Sequence, residues 1–163
     1  MRKWQMLNRG ILKAAIPIII AATGAVVGTA LPASATASGQ TFRLIQRVNG
    51  FNMCLDAGFE FSRCQYGPSP DDPPALEKWL VTALPNGTEQ IQNGSQCLDV
   101  TGFTAPCTSG DASQQWVRVS AGNDIVKVVN RSSGQRQCLD SFWTFHPCTR
   151  GDKQQIWRFK LVS

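Results

Sequence analysis

The sequence is poor in the residues on which catalytic and metal chemistry most often rests. One histidine, His146, occurs in 163 residues, and no C-x-x-C is present, which argues against a zinc centre. Gly-x-Ser-x-Gly is absent, so the nucleophile elbow of the serine hydrolases is not available. The three glutamates, Glu60, Glu77 and Glu89, share no motif, and no pair of carboxylates is marked out for glycosidase chemistry. Beyond position 37, no window of twelve residues keeps a helical apolar stripe free of Gly or Pro. A helical domain is not expected, and neither is an enzyme or a bound cofactor.

The amino end has its own logic. Arg2, Lys3, Arg9 and Lys13 precede an apolar or small-residue run from Ala14 to Ala30, and Ala33-Ser34-Ala35 or Ala35-Thr36-Ala37 offers a cleavage site. Residues 1–37 are therefore expected to be a secretory signal peptide, and 38–163 a secreted, extracellular product. The rival is a transmembrane anchor, but Pro17 and two glycines interrupt the run and no basic stop-transfer cluster follows. Removing the four basic residues leaves twelve cations against eleven acids, so the chain's net charge of +5 falls to about +1. That balance argues against a nucleic-acid partner and, after signal removal, against membrane insertion. The remaining 126 residues suffice for one domain with its own core.

All six cysteines fall in that remainder, as exported proteins favour. Fifteen pairings are possible. The spacing selects Cys54 with Cys64, Cys97 with Cys107, and Cys138 with Cys148, each pair ten residues apart. Each bridge closes a short loop, worth roughly 2–3 kcal/mol through chain entropy.

The cysteines belong to a larger repeat. Cys-Leu-Asp begins at 54, 97 and 138, and Trp79, Trp116 and Trp157 close the three units. In the second and third units the tryptophan ends a Gln-x-Trp, at 114–116 and 155–157; the first has Glu77-Lys78-Trp79 and an insertion within 68–74. Apolar segments at 42–48, 125–129 and 157–162, separated by Asn-Gly and similar breakers, predict strands. About four short strands per unit, each unit too small to bury its own apolar face, predict an all-β chain closed about a shared threefold core, a β-trefoil. The tryptophans, with Leu55, Leu98 and Leu139, are expected in that core.

This ordered set of Cys-Leu-Asp, second cysteine and Gln-x-Trp, three times over, resembles the ricin B-type lectin family across essentially all of residues 38–163. The resemblance implies binding of galactose-like sugars or polysaccharide in shallow pockets, one per unit. It places sugar-binding carboxylates at Asp56, Asp99 and Asp140, with Gln114 and Gln155 supporting them and Ser113 and Gln154 at the preceding polar position. A carboxylate accepts charge-assisted hydrogen bonds from adjacent hydroxyls, but Asp also caps turns, and both roles stay open. The family's stacking ring falls at Ser62, Ala105 and His146, where only His146 presents a ring. Phe59, Phe61, Phe103, Phe142, Trp143 and Phe145 are alternative platforms or packing under short loops. The third unit, with Asp140, His146, Gln154 and Gln155, is thus the best candidate, the second is poorer, and the first is degraded.

The expected function is a secreted lectin-like protein that captures a glycan without altering it. The alternative is a protein-interaction module on the same scaffold: a toxin-delivery subunit, an adhesin or a hydrolase inhibitor. In that case the proline-rich insertion would be a semi-rigid projection. Asn86, Asn93 and Asn130 head formal glycosylation sequons and are expected to mark surface turns.

Overall fold

In a computed structural model of the chain, the described residues are 39–58, 61–67, 71–130, 132, 136–141 and 144–162. Positions 1–38, which carry the export signal expected above, lie outside them, as do Phe59, Phe142 and Trp143. The first unit contributes β1 (Gln40–Val48), β2 (Phe51–Leu55), β3 (Phe61–Arg63) and β4 (Trp79–Ala83). The second contributes β5 (Glu89–Asn93), β6 (Gln96–Asp99), β7 (Phe103–Pro106) and β8 (Trp116–Gly122). The third contributes β9 (Ile125–Asn130), β10 (Gln137–Leu139), β11 (Phe145–Pro147) and β12 (Arg158–Leu161). Four strands per unit is the number predicted, and a single 3-10 turn precedes the last strand of each, at Ala75–Glu77, Ala112–Gln114 and Lys153–Gln155.

Two kinds of pairing build the β-trefoil. Outer strands of a unit pair with each other, aligning Phe42 with Trp79, Glu89 with Trp116, and Val126 with Trp157. Between units, β4 pairs with β5, β8 with β9, and β12 with β1, which closes a six-stranded barrel. The inner strands form three antiparallel hairpins, β2–β3, β6–β7 and β10–β11. Each is stapled by the disulfide that the spacing selects: Cys54–Cys64, Cys97–Cys107 and Cys138–Cys148.

The core follows from the repeat. Trp79, Trp116, Trp157, Leu55, Leu98 and Leu139 are all fully buried, joined by Leu44, Ile91 and Val128 from the first strand of each unit. A buried indole N–H needs an acceptor. Each one donates to the carbonyl of its own unit's Cys-Leu-Asp leucine, at 3.0 Å in all three cases. Rings from the hairpins then seal the indoles of the preceding unit: Phe145 lies 5.3 Å from Trp116, and Phe61 lies 6.0 Å from Trp157. Thr104 takes that place in the second unit, where Phe103, at φ 64°, turns into the core instead.

The described part of the insertion does not project. Pro73 is buried, Lys78 pairs with Asp72, and Lys160 pairs with Asp71. Gly67 lies so close to the carbonyl oxygen of Asp72 that a Cβ there would stand 2.1 Å from it. Residues 71–74 are therefore folded back on the domain, contrary to the projection expected above.

Candidate functional site

The three aspartates end their leucine-bearing strands at equivalent places, and the residue after each is tied to the 3-10 turn of its own unit. Ala57, Val100 and Ser141 donate their backbone N–H to the carbonyls of Leu76, Ser113 and Gln154, at 2.9, 3.1 and 3.0 Å. This bond brings the Cys-Leu-Asp and Gln-x-Trp motifs of a unit together, although they lie well apart in sequence.

Asp99 shows what such an aspartate does when its neighbours are complete. One carboxylate oxygen accepts from the backbone N–H and hydroxyl of Thr101, at 2.8 and 2.6 Å. The other accepts from the Ser113 hydroxyl at 2.8 Å and the Gln114 amide at 3.2 Å. Four donors fill the acceptor sites of one ionised carboxylate. Burial raises the proton affinity of this group, but the bonds from Thr101, Ser113 and Gln114 together outweigh it and hold the carboxyl below its ordinary value. Asp99 thus fixes the 99–103 loop. Asp56 folds its own turn by accepting from Gly58 N–H at 2.6 Å. Asp140 is 3% exposed; its backbone N–H donates to Thr144, and the Ser141 hydroxyl lies 3.3 Å from its carboxylate.

The glutamines are structural staples. Gln114 and Gln155 are buried, and each accepts from the backbone N–H of the residue after the second cysteine, Thr108 or Thr149, at 2.9 Å. Their amide groups donate to Pro106 and Pro147 on the same hairpins. Glu77 keeps the first half of this pattern, accepting from Gln65 N–H at 2.9 Å, but a carboxylate has no proton to donate. Arg43 supplies it. Its guanidinium pairs with Glu77 and also bonds the Gln65 carbonyl, and both side chains are buried. Gln90 and Lys127 stand at the matching places in the other units, where Lys127 likewise bonds the Thr149 carbonyl and Gln155. Among the described residues, Glu77 also lies near the Cys54 and Cys64 sulfurs, but both are consumed by their bridge and offer a metal no thiolate.

His146 is exposed on β11 and faces across a unit boundary. It lines a cleft of about 490 Å³ with Thr144 and Phe145 on one wall and the Val100–Phe103 loop of the second unit on the other. Asp99 stands behind the second wall, whose Thr101 it holds. The backbone N–H of Asp140 donates to the Thr144 carbonyl behind the first. The Gln154 side chain is exposed beside its 3-10 turn. Phe61, Phe103 and Phe145 serve mainly as packing: Phe103 is 5% exposed, and the other two are half-buried against tryptophans.

One set of residues escaped the sequence reading as a set. Gln46, Asn93 and Asn130 hold equivalent places on the first strands, each four residues after the one aligned with its unit's tryptophan, and each donates its amide into the 3-10 turn of the preceding unit. Gln46 reaches Lys153 and Gln154, Asn93 reaches Ala75 and Lys78, and Asn130 reaches Ala112, Ser113 and Gln115. Asn93 and Asn130 are therefore interunit ties; Asn130 is fully buried and is not a surface-turn residue, whereas Asn86 is exposed as expected. The legible signal was an amide side chain in the second half of each first strand.

No protein-family model matches the chain, and no curated protein matches it. Among solved structures, it is similar to ThreeFoil, a designed threefold-symmetric protein, with a TM-score of 0.55 and 21% identity over 76% of this chain and 98% of that one. It is similar to SeviL, solved bound to asialo-GM1 saccharide, with a TM-score of 0.51 and 12% identity over 74% of this chain and 96% of that one. An exo-beta-1,3-galactanase from Clostridium thermocellum gives a TM-score of 0.55 and 16% identity over 82% of this chain, but only 31% of that one. At these identities the likeness is one of fold, and the fold shared is the β-trefoil.

Proposed function

We propose that the protein is a secreted, non-catalytic carbohydrate-binding protein of ricin B-type character, holding a galactose-like sugar or a polysaccharide unit in the cleft between its second and third units. The observation that carries this reading is the make-up of that cleft. Val100 and Phe145 offer an apolar face for the C–H side of a pyranose, while Thr101, Thr144 and His146 offer hydroxyl and imidazole groups to its hydroxyls. Asp99 supports one wall from behind with its carboxylate, and the main chain of Asp140 ties the other. His146 is the one titratable group among the lining residues, and glycoside hydrolysis needs two carboxylates, which supports capture without turnover. Three disulfides suit an extracellular setting. A single open cleft binds weakly, so useful retention on a polymer comes from repeated engagement.

A glycan array with the His146→Ala variant tests the reading. Binding is expected to fall by about tenfold, the loss of one good hydrogen bond and its packing, while the melting temperature stays put because His146 is exposed. Asp99→Ala, which frees Thr101, is expected to lower binding and melting temperature together. Absence of binding to every saccharide, or binding untouched by His146→Ala, counts against it.

A further inference from the structure

A second cleft, of about 310 Å³, opens where the first and third units meet. Its apolar lining is Ile45, Ile125 and Ile156, and its charged lining is Arg47, Lys153 and Arg158, with no carboxylate among the lining residues. Asp124 and Asp152 flank Ile125 and Lys153 in sequence, and Asp152 accepts from Gln154 N–H as the cap of its turn. The ion pairs of the described residues join Arg43, Lys78, Arg118 and Lys160 to acids elsewhere, and none of them includes the three cations of this cleft.

Gln46 also lines the cleft. Its amide nitrogen donates to Lys153 and Gln154, at 3.0 and 2.6 Å, which fixes the orientation of the group. Its oxygen is buried with no hydrogen-bond partner. That oxygen is closed to the cleft as well as to solvent, so the lining groups open to a ligand are the cations and the isoleucines. Three cations and an apolar floor describe a ligand with an anionic group and a C–H face.

We propose that this cleft binds an acidic saccharide unit, a pyranose bearing a carboxylate or sulfate group. This rests on the glycan-binding reading and names a second subsite and its ligand class. Arg47 and Arg158 present planar donor forks to the anion. The isoleucines take the ring face.

The test titrates residues 38–163 with three oligosaccharide sets: oligogalacturonate, sulfated galactan fragments and neutral galactan fragments. The proteins compared are wild type, an Arg47→Gln/Arg158→Gln variant and His146→Ala. Both substituted arginines are exposed, so the variant is expected to fold. Acidic oligomers are expected to bind about tenfold more tightly than neutral ones, and to lose about tenfold in the arginine variant, the worth of a charge-assisted contact. Raising salt from about 50 to about 500 mM weakens acidic binding only. Neutral binding is expected to respond to His146→Ala and not to the arginine variant. Whichever acidic set binds more tightly separates carboxylate from sulfate. Acidic binding unchanged in the arginine variant overturns the proposal and leaves the glycan reading standing. So does equal affinity for duplex DNA or for phosphatidylserine vesicles, which would mean charge alone. No binding of any saccharide overturns both.

Discussion

Replacing Arg43 and Glu77, singly and together, is the sharpest measurement the structure offers. Both side chains are buried, Arg43 at 4% exposure and Glu77 at none. Glu77→Gln leaves the guanidinium buried without a counter-charge, and Arg43→Gln leaves the carboxylate in the same state. Breaking such a pair from one side costs about 3–5 kcal/mol. The double variant Arg43→Gln/Glu77→Gln removes both charges and installs the pair found in the second unit, where Gln90 and Gln114 occupy the matching positions. Gln at 77 would then accept from Gln65 N–H and donate to the hairpin, as Gln114 does with Thr108 and Pro106. The double variant should therefore lose only about 1 kcal/mol, less than either single one. Urea unfolding followed by the fluorescence of the buried tryptophans reads this directly. With a slope of about 2 kcal/mol per molar, each single variant should lower the midpoint by about 2 M, and the double by about 0.5 M. Additive losses, with a coupling below about 0.5 kcal/mol, would refute the equivalence of the two arrangements.

Two further predictions concern the repeat. Asn130→Ala should cost about 2–4 kcal/mol, because three carbonyls lose their donor and Ser132 loses its acceptor, whereas Asn86→Ala at the surface should stay within about 0.5 kcal/mol. In a glycosylating host, folded material examined by mass spectrometry should carry sugar at Asn86 and not at Asn130. Asp99→Asn should lower stability at pH 6 by about 1–3 kcal/mol, and thermal melts across pH should show this gap closing in acid. The folded carboxyl releases its proton more readily than the unfolded one, so its contribution is complete above about pH 4 and fades as pH falls through the lowered value. A gap that is the same at pH 6 and pH 2 would contradict that.

The fold was legible because the residues that make it are repeated at nearly constant spacing. Cysteine, leucine and tryptophan each do one job three times, so their positions in sequence already describe the staples and the core. The ties made by Gln46, Asn93 and Asn130 were hidden for two reasons. They differ in residue type, and they fall eight, four and eight residues before Cys54, Cys97 and Cys138, because the β1–β2 hairpin has longer arms and the β9–β10 connection has more residues. Their partners also lie in another unit, so no local pattern contains both ends. The clefts were illegible for the same reason. His146 was grouped with Asp140 by sequence, but its wall-mate across the cleft is the loop that Asp99 organises, and the pocket of Ile45, Arg47 and Lys153 draws on the two ends of the domain.

Pairing of the last strand with the first, reinforced by Gln46 reaching into the third unit, makes the molecule a circuit. In an open stack of repeats, units can be gained or lost at the ends, and stability changes by increments. A circuit admits no such change: every unit is both the lock of one neighbour and the keyhole of the other, and a fourth would have no gap to enter. Three units complete the circuit, and within it the first carries Arg43 and Glu77 where the second carries Gln90 and Gln114.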